Sequence, residues 1–186
     1  LSVSGITAEA PSESQLPPAK ELFNFFGCLG EWHGDATEEY QTFATVGGRK
    51  RHGLIIDPGA ASGLVGAATL REYFEEVLRP AGRLHEVHWD MDTNASISGI
   101  DGQAKPSLGR VTIPLGIPSM PKECTWTGEV ISGHGAWCPF LEPLPAMMKA
   151  KMSLHISFYE NGDGLLTIPQ GKDSKMVCPR LSLTDS

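Results

Sequence analysis

Apolar and polar positions change rhythm several times along this chain, and each change predicts an element boundary. Residues 1–20 carry Ser, Pro, Ala and Glu with few large apolar side chains, a composition that buries too little surface to offset its ordering entropy. Residues 21–30 are more apolar, and Leu22, Phe23, Phe25, Phe26 and Leu29 suit a helical turn or two docking on a neighbouring surface. From residue 39 the period becomes two. Tyr40, Thr42, Ala44 and Val46 alternate with polar residues, Gly47-Gly48 interrupts, and Gly53-Leu54-Ile55-Ile56 follows, which predicts a β-hairpin with a glycine turn. Over residues 69–78, Leu70, Tyr73, Phe74 and Val77 fall at helical spacing, with Thr69 as the expected N-cap and Pro80 just past the end.

Strands dominate beyond that helix. Residues 84–89, 95–100, 109–115, 124–131 and 154–159 are β-forming runs bounded by Gly, Pro, Asn or Asp. Asn161-Gly162-Asp163-Gly164, between Ile156-Ser157-Phe158-Tyr159 and Leu165-Leu166-Thr167-Ile168, predicts a hairpin. Residues 171–186 lack a pattern, and no repeat recurs at solenoid or propeller periods. The expected fold is mostly β, a small closed sheet with one or two short helices. The expected organisation is an extension over residues 1–38 with its apolar arm at 21–30, one domain over 39–168, and a C-terminal tail over 169–186.

With 186 residues the chain has room for one core. Its formal net charge of −7 argues against a nucleic-acid partner, because that affinity comes from Lys and Arg neutralising phosphates. The basic cluster Arg49-Lys50-Arg51-His52 is too short to reverse this. No apolar run approaches the roughly 18–20 residues that span a bilayer, so direct membrane insertion is not expected. Cys28, Cys124, Cys138 and Cys178 are widely spaced without a C-x-x-C pair; four could make two disulfides, but they read first as buried or free thiols of a reducing compartment. An intracellular location is therefore favoured. Because the sequence begins at Leu1 rather than Met, removal of a targeting segment stays open.

The residue that changes the picture most is Asp57. Three apolar β-formers, Leu54-Ile55-Ile56, lead into Asp57-Pro58-Gly59-Ala60, which puts a carboxylate at the end of a buried strand, in a turn where Gly59 allows close backbone approach. Such a carboxylate either accepts hydrogen bonds from turn amides or takes a raised pKa, and the second state is how reactive acids are built.

The order of segments from about residue 40 to 168 resembles the retropepsins, the single-lobe aspartic proteases of retroviruses and retrotransposons. In that family a strand leads into Asp-Thr/Ser-Gly-Ala, and Leu54 to Ala60 supplies strand and motif, with Ser62-Gly63-Leu64-Val65-Gly66 as the apolar segment that follows. Ser98-Gly99-Ile100-Asp101-Gly102 is similar to the tip of the substrate-covering flap, a Gly-rich hairpin, and residues 108–115 to its returning strand. Gly128-Glu129-Val130-Ile131 followed by Phe140-Leu141-Glu142 is similar in order to the strand and the apolar-apolar-Gly element that backs the catalytic loop before a short helix. The resemblance implies a closed acid-protease β-barrel and an aspartic endopeptidase acting on polypeptide. Asp57 would be catalytic, Pro58, Gly59 and Ala60 its loop, and residues 98–102 a substrate-binding flap. With one motif per chain, it also implies a homodimer in which two copies of Asp57 meet across a two-fold axis. No cofactor or metal is required.

Two positions depart from the family pattern. Pro58 stands where active members carry Thr or Ser, whose hydroxyl hydrogen-bonds across the dimer, and proline has neither hydroxyl nor N–H. Glu142 stands where the family has glycine, so its side chain is expected to point outward or to disturb the loop. These departures keep a second reading open, a pseudoenzyme that serves as a non-catalytic binding or structural subunit and docks in a larger assembly through residues 21–30.

Other chemistry is weaker. His85 and His88, three apart on an expected strand, point to opposite faces and make a poor metal pair. His134 and Cys138 suggest a nucleophilic couple only loosely, since Cys138-Pro139 leads into an apolar run. Asn94-Ala95-Ser96 is a glycosylation sequon that matters only in a secretory compartment.

Overall fold

The computed structural model describes residues 45–46, 49–98, 104–117, 123–170 and 175–181. In chain order these residues form β1 (Thr45–Val46), β2 (Arg49–Lys50), β3 (Leu54–Asp57), β4 (Leu64–Gly66) and α1 (Ala67–Tyr73). Helix α1 runs on as a π-helical turn, Phe74–Leu78, and a 3-10 turn, Leu84–Glu86, precedes β5 (His88–Asp90), β6 (Ser96–Ser98) and β7 (Ala104–Pro106). Then come β8 (Gly109–Leu115), β9 (Cys124–Ile131), β10 (Phe140–Pro143), α2 (Leu144–Lys149), β11 (Ser153–His155), β12 (Gly164–Gln170), β13 (Lys175–Val177) and β14 (Arg180–Leu181).

The protein is mostly β with few helices. Its principal sheet has six strands in the order β3-β10-β4-β9-β8-β5. The antiparallel β8–β9 ladder, from Gly109 opposite Val130 to Leu115 opposite Cys124, is its backbone. Strand β10 lies between β3, to which it runs parallel, and β4, to which it runs antiparallel. The expected closed barrel is not found among the described residues, where β3 and β5 are free edges and β1–β2, β6–β7 and β11–β14 pair separately. Both edge strands are three or four residues long, too short for the tilted, staggered ladder that closure needs.

Several boundaries differ from the sequence expectation. Helix α1 begins at Ala67 behind Gly66, without a side-chain cap, rather than behind Thr69. The backbone N–H groups of Gly66 and Ala68 are instead taken up by Cys138 O and Ala136 O, each at 2.8 Å. A strand is expected over 84–89, yet the first half is a 3-10 turn that Arg83 braces by hydrogen bonds to Glu86 and Glu123. The hairpin around residues 47 and 48 pairs Val46 with Arg49, while Leu54–Asp57 joins the large sheet instead. The hairpin ending at Gly164 uses β11, with His155 opposite Leu165, so Ile156 and Phe158 sit in the connection with Ile156 81% exposed. Residues 175–181, expected in the tail, pair with β12 in one continuous register. The expected arm over 21–30 and the remainder of 1–38 lie outside the described residues.

The core explains why the principal sheet holds. Val65, Leu70, Phe74, Val111, Ile113 and Val130 are fully buried between α1 with its π-turn and strands β4, β8 and β9. Edge-to-face ring contacts join Tyr73 to Phe140 at 5.3 Å and Phe140 to Trp126 at 5.1 Å. The polar ends of both partners are satisfied, Tyr73 Oη donating to Pro114 O and Trp126 Nε1 to Leu141 O. Through these rings β10 is packed against α1 and β9, which fixes the strand lying beside Asp57.

Candidate functional site

Asp57 ends β3, with Pro143 of β10 opposite it and Glu142 opposite Ile56. The chain then turns tightly. Gly59 N–H donates to Asp57 Oδ1 at 2.9 Å and Ala60 N–H donates to Asp57 O at 3.1 Å. A Cβ at position 59 would lie 3.2 Å from Asp57 Oδ1, a tight contact, so glycine leaves the carboxylate room to fold back onto its own turn. Leu144 N–H, at the start of α2, donates to Ala60 O at 3.3 Å and pins the far side of the turn. Asp57 is half-buried, while Pro58 and Gly59 are exposed. One carboxylate oxygen thus has a backbone donor, and the turn presents its outer face at the surface.

Glu142 lies beside this turn, opposite Ile56, and two thiols feel the acidic groups around it. Glu142 is buried, on the same side of β10 as Phe140, which excludes the outward-pointing half of the expectation for this position. Burial pushes its carboxyl above the ordinary value, favouring the protonated form. Cys138, just ahead of β10, has its thiol pushed up to about 11, first by burial and then by the negative charge of Asp57. Cys124 is raised as well, by burial and by the charges of Glu142 and Glu123.

Asp57, Pro58, Gly59 and Ala60 therefore form one turn, and Phe140–Pro143 lies directly behind it. Ser98 ends β6 on a separate two-stranded sheet with β7, exposed. Gly99, Ile100, Asp101 and Gly102 lie outside the described residues. His85 and His88 fall in different elements, and among the described residues no group of three or more His, Cys, Asp or Glu is arranged to hold a metal. Among the described residues no helix is long and apolar enough to cross a membrane. That the charge of Asp57 reaches Cys138, much further along the chain, had no signal in the sequence.

Comparison with known proteins finds no family model, no curated protein and no solved structure that matches the chain.

Proposed function

We propose that this chain is one subunit of a retropepsin-like aspartic endopeptidase, active as a homodimer on polypeptide substrates, with Asp57 as its catalytic residue. The observation that carries the reading is the Asp57 turn: a half-buried carboxylate at a strand end, held by the Gly59 amide and backed by β10, with its outer face open. The mostly-β fold, the β6–β7 pair coming after the Asp57 turn in chain order, and short α2 directly after β10 are consistent with it. A closed acid-protease barrel is the finer architecture that this reading would entail.

The chemistry follows from pairing two such turns. Two carboxylates roughly 3 Å apart cannot both ionise, so the pair shares one proton. The ionised partner takes a proton from water while the other donates to the scissile carbonyl oxygen, and the water oxygen attacks the carbonyl carbon. Residues 98–102 would bind the substrate backbone, and no cofactor enters. The test is solution mass over a concentration series, near neutral pH and near pH 5, followed by peptide cleavage with Asp57→Asn as control. A dimer whose cleavage is lost in the variant supports the reading, and cleavage retained in the variant sinks it.

One observation favours a second reading. Pro58 is exposed and offers neither hydroxyl nor N–H, so the turn lacks the donor that would tie it to a twin. A non-catalytic binding or structural subunit, docking through residues 21–30, would need no such tie. It predicts a monomer or a hetero-complex with no peptidase activity.

A further inference from the structure

Glu129 lies on β9 and is only 3% exposed, yet its charge is fully engaged. Arg110, directly opposite it in the β8–β9 register, approaches Oε1 with Nε at 2.7 Å and Nη2 at 2.6 Å. The other oxygen, Oε2, accepts from Ser107 Oγ at 2.8 Å and from Thr93 Oγ1 at 3.3 Å. Those two hydroxyls come from the two stems of one hairpin, Thr93 ahead of β6 and Ser107 just after β7.

The surrounding bonds show that the stems are gathered onto this one carboxylate. Ser107 N–H donates to Ala95 O, tying stem to stem, and Leu108 N–H donates to Val130 O, tying the second stem to β9, both at 2.9 Å. Ala95 N–H donates to Thr93 Oγ1 and Gly109 N–H donates to Ser107 Oγ, so each hydroxyl is oriented by its own stem. Ser107 Oγ has one proton and three acceptors in reach: Glu129 Oε2, Gly109 O at 2.9 Å and Val130 O at 3.4 Å. The ionised oxygen is the strongest of the three.

Glu129 also reaches the other way. Its N–H donates to Gly63 O at 2.9 Å, and it stands opposite Leu64 in the β4–β9 pairing. Gly63 and Leu64 are where the chain enters β4 after the Asp57 turn. A carboxylate this deep is strongly disfavoured unless its lone pairs are used, and an apolar side chain would pack there at lower cost. What an apolar side chain could not do is hold two stems at once.

We propose that Glu129 is a positioning residue that sets the β6–β7 hairpin in fixed register with the strand leaving the Asp57 turn. It rests on the endopeptidase reading only for what the hairpin and turn would hold between them, an extended polypeptide. The primary test does not depend on that reading. Hydrogen–deuterium exchange on the full chain would compare the double variant Thr93→Val, Ser107→Ala with the unsubstituted protein, because this pair removes the stem donors and leaves the Glu129–Arg110 ion pair in place. Amides of residues 96–98, 104 and 105 are expected to exchange at least about tenfold faster, with those of 111–113 and 125–128 unchanged. Glu129→Gln keeps an acceptor for the hydroxyls and should retain more hairpin protection than Glu129→Ala. Hairpin exchange unchanged in the double variant, or acceleration spread evenly over β8 and β9, overturns the proposal. If the unsubstituted chain cleaves peptides, the double variant should raise KM more than it lowers kcat, and an unchanged KM also overturns it. A chain that cleaves nothing defeats the endopeptidase reading instead, and the exchange result alone then decides the role of Glu129.

Discussion

Replacing Glu142 by Gln should stabilise this protein at neutral pH and change it little in acid. Glu142 is 8% exposed on β10, and burial holds its carboxyl above the ordinary 4.5. In the unfolded chain the same group titrates near its ordinary value. Between that pH and the raised folded value, the unfolded state has released a proton that the folded state retains. Stability is therefore greatest below about the ordinary value, falls as pH rises through the folded pKa, and levels off above it. Each pH unit of that window removes about 1.4 kcal/mol, and less where solvent reaches the carboxyl. Cys124, which senses the charge of Glu142, is itself raised and stays neutral throughout, so it adds no slope. Glu75 and Glu86 run the other way: hydrogen bonds from Arg79 and Arg83 lower them, so they contribute stability above their ordinary pKa that is lost in acid. A single pH profile mixes these opposing terms. The difference between the unsubstituted chain and Glu142→Gln cancels them, and urea unfolding at intervals from about pH 4 to pH 8 measures it. The variant's advantage should grow with pH and then plateau. A difference that is flat with pH, or that favours the unsubstituted chain at neutral pH, would refute the reasoning.

Other outcomes follow from the same geometry. Asp57→Asn should leave the fold intact, since Gly59 N–H can still donate to the side-chain oxygen, and under the proposed endopeptidase reading it should lower peptide cleavage by roughly 10²–10⁴; circular dichroism and a peptide assay check the two halves. Cys138, with its thiol near 11, should be roughly one part in 10⁴ ionised at about pH 7 and alkylate slowly. Asp57→Asn should speed that alkylation, because the charge of Asp57 is the second cause of the shift, and an unchanged rate would separate the two groups. Gly63→Ala should destabilise by about 1–3 kcal/mol, since its Cβ would sit 2.3 Å from Thr127 O and force β4 from β9; thermal melting measures it.

Local pattern made some of this legible and left the rest unreadable for a physical reason. The β-forming run at 124–131 marked β9 to the residue, and the step from Leu54-Ile55-Ile56 to Asp57-Pro58-Gly59 marked the turn, because both signals reside in a few adjacent side chains. The start of α1 was misjudged because Thr69 is a good cap in isolation, whereas the actual start is set by carbonyls of residues 136 and 138, far away in sequence. The pairing of residues 175–181 with β12 was invisible for the same reason. Its strands are two or three residues long, too short for a period to register.

The arrangement that matters most for function is also nonlocal, and two glycines show how it is held. Strand β10 lies between β3 and β4, and β4 in turn pairs with β9 at close range. It does so where Gly63 meets Gly128: a Cβ on Gly128 would fall 2.7 Å from Gly63 C and 2.3 Å from the Trp126 ring. That close backbone approach lets Glu129 N–H reach Gly63 O and keeps Trp126 packed under Phe140, with its Nε1 on Leu141 O. Neither glycine carries chemistry, and nothing in the sequence marks that Gly63, in the apolar segment 62–66, and Gly128, inside the run 124–131, meet. Together they permit the close β4–β9 pairing, and β10, on the other side of β4, carries Pro143 opposite Asp57. The candidate catalytic group is thus held at two scales: Gly59 and Ala60 N–H fix the turn on Asp57 itself, and Pro143 opposite Asp57 with Leu144 N–H on Ala60 O ties that turn to the rest of the sheet.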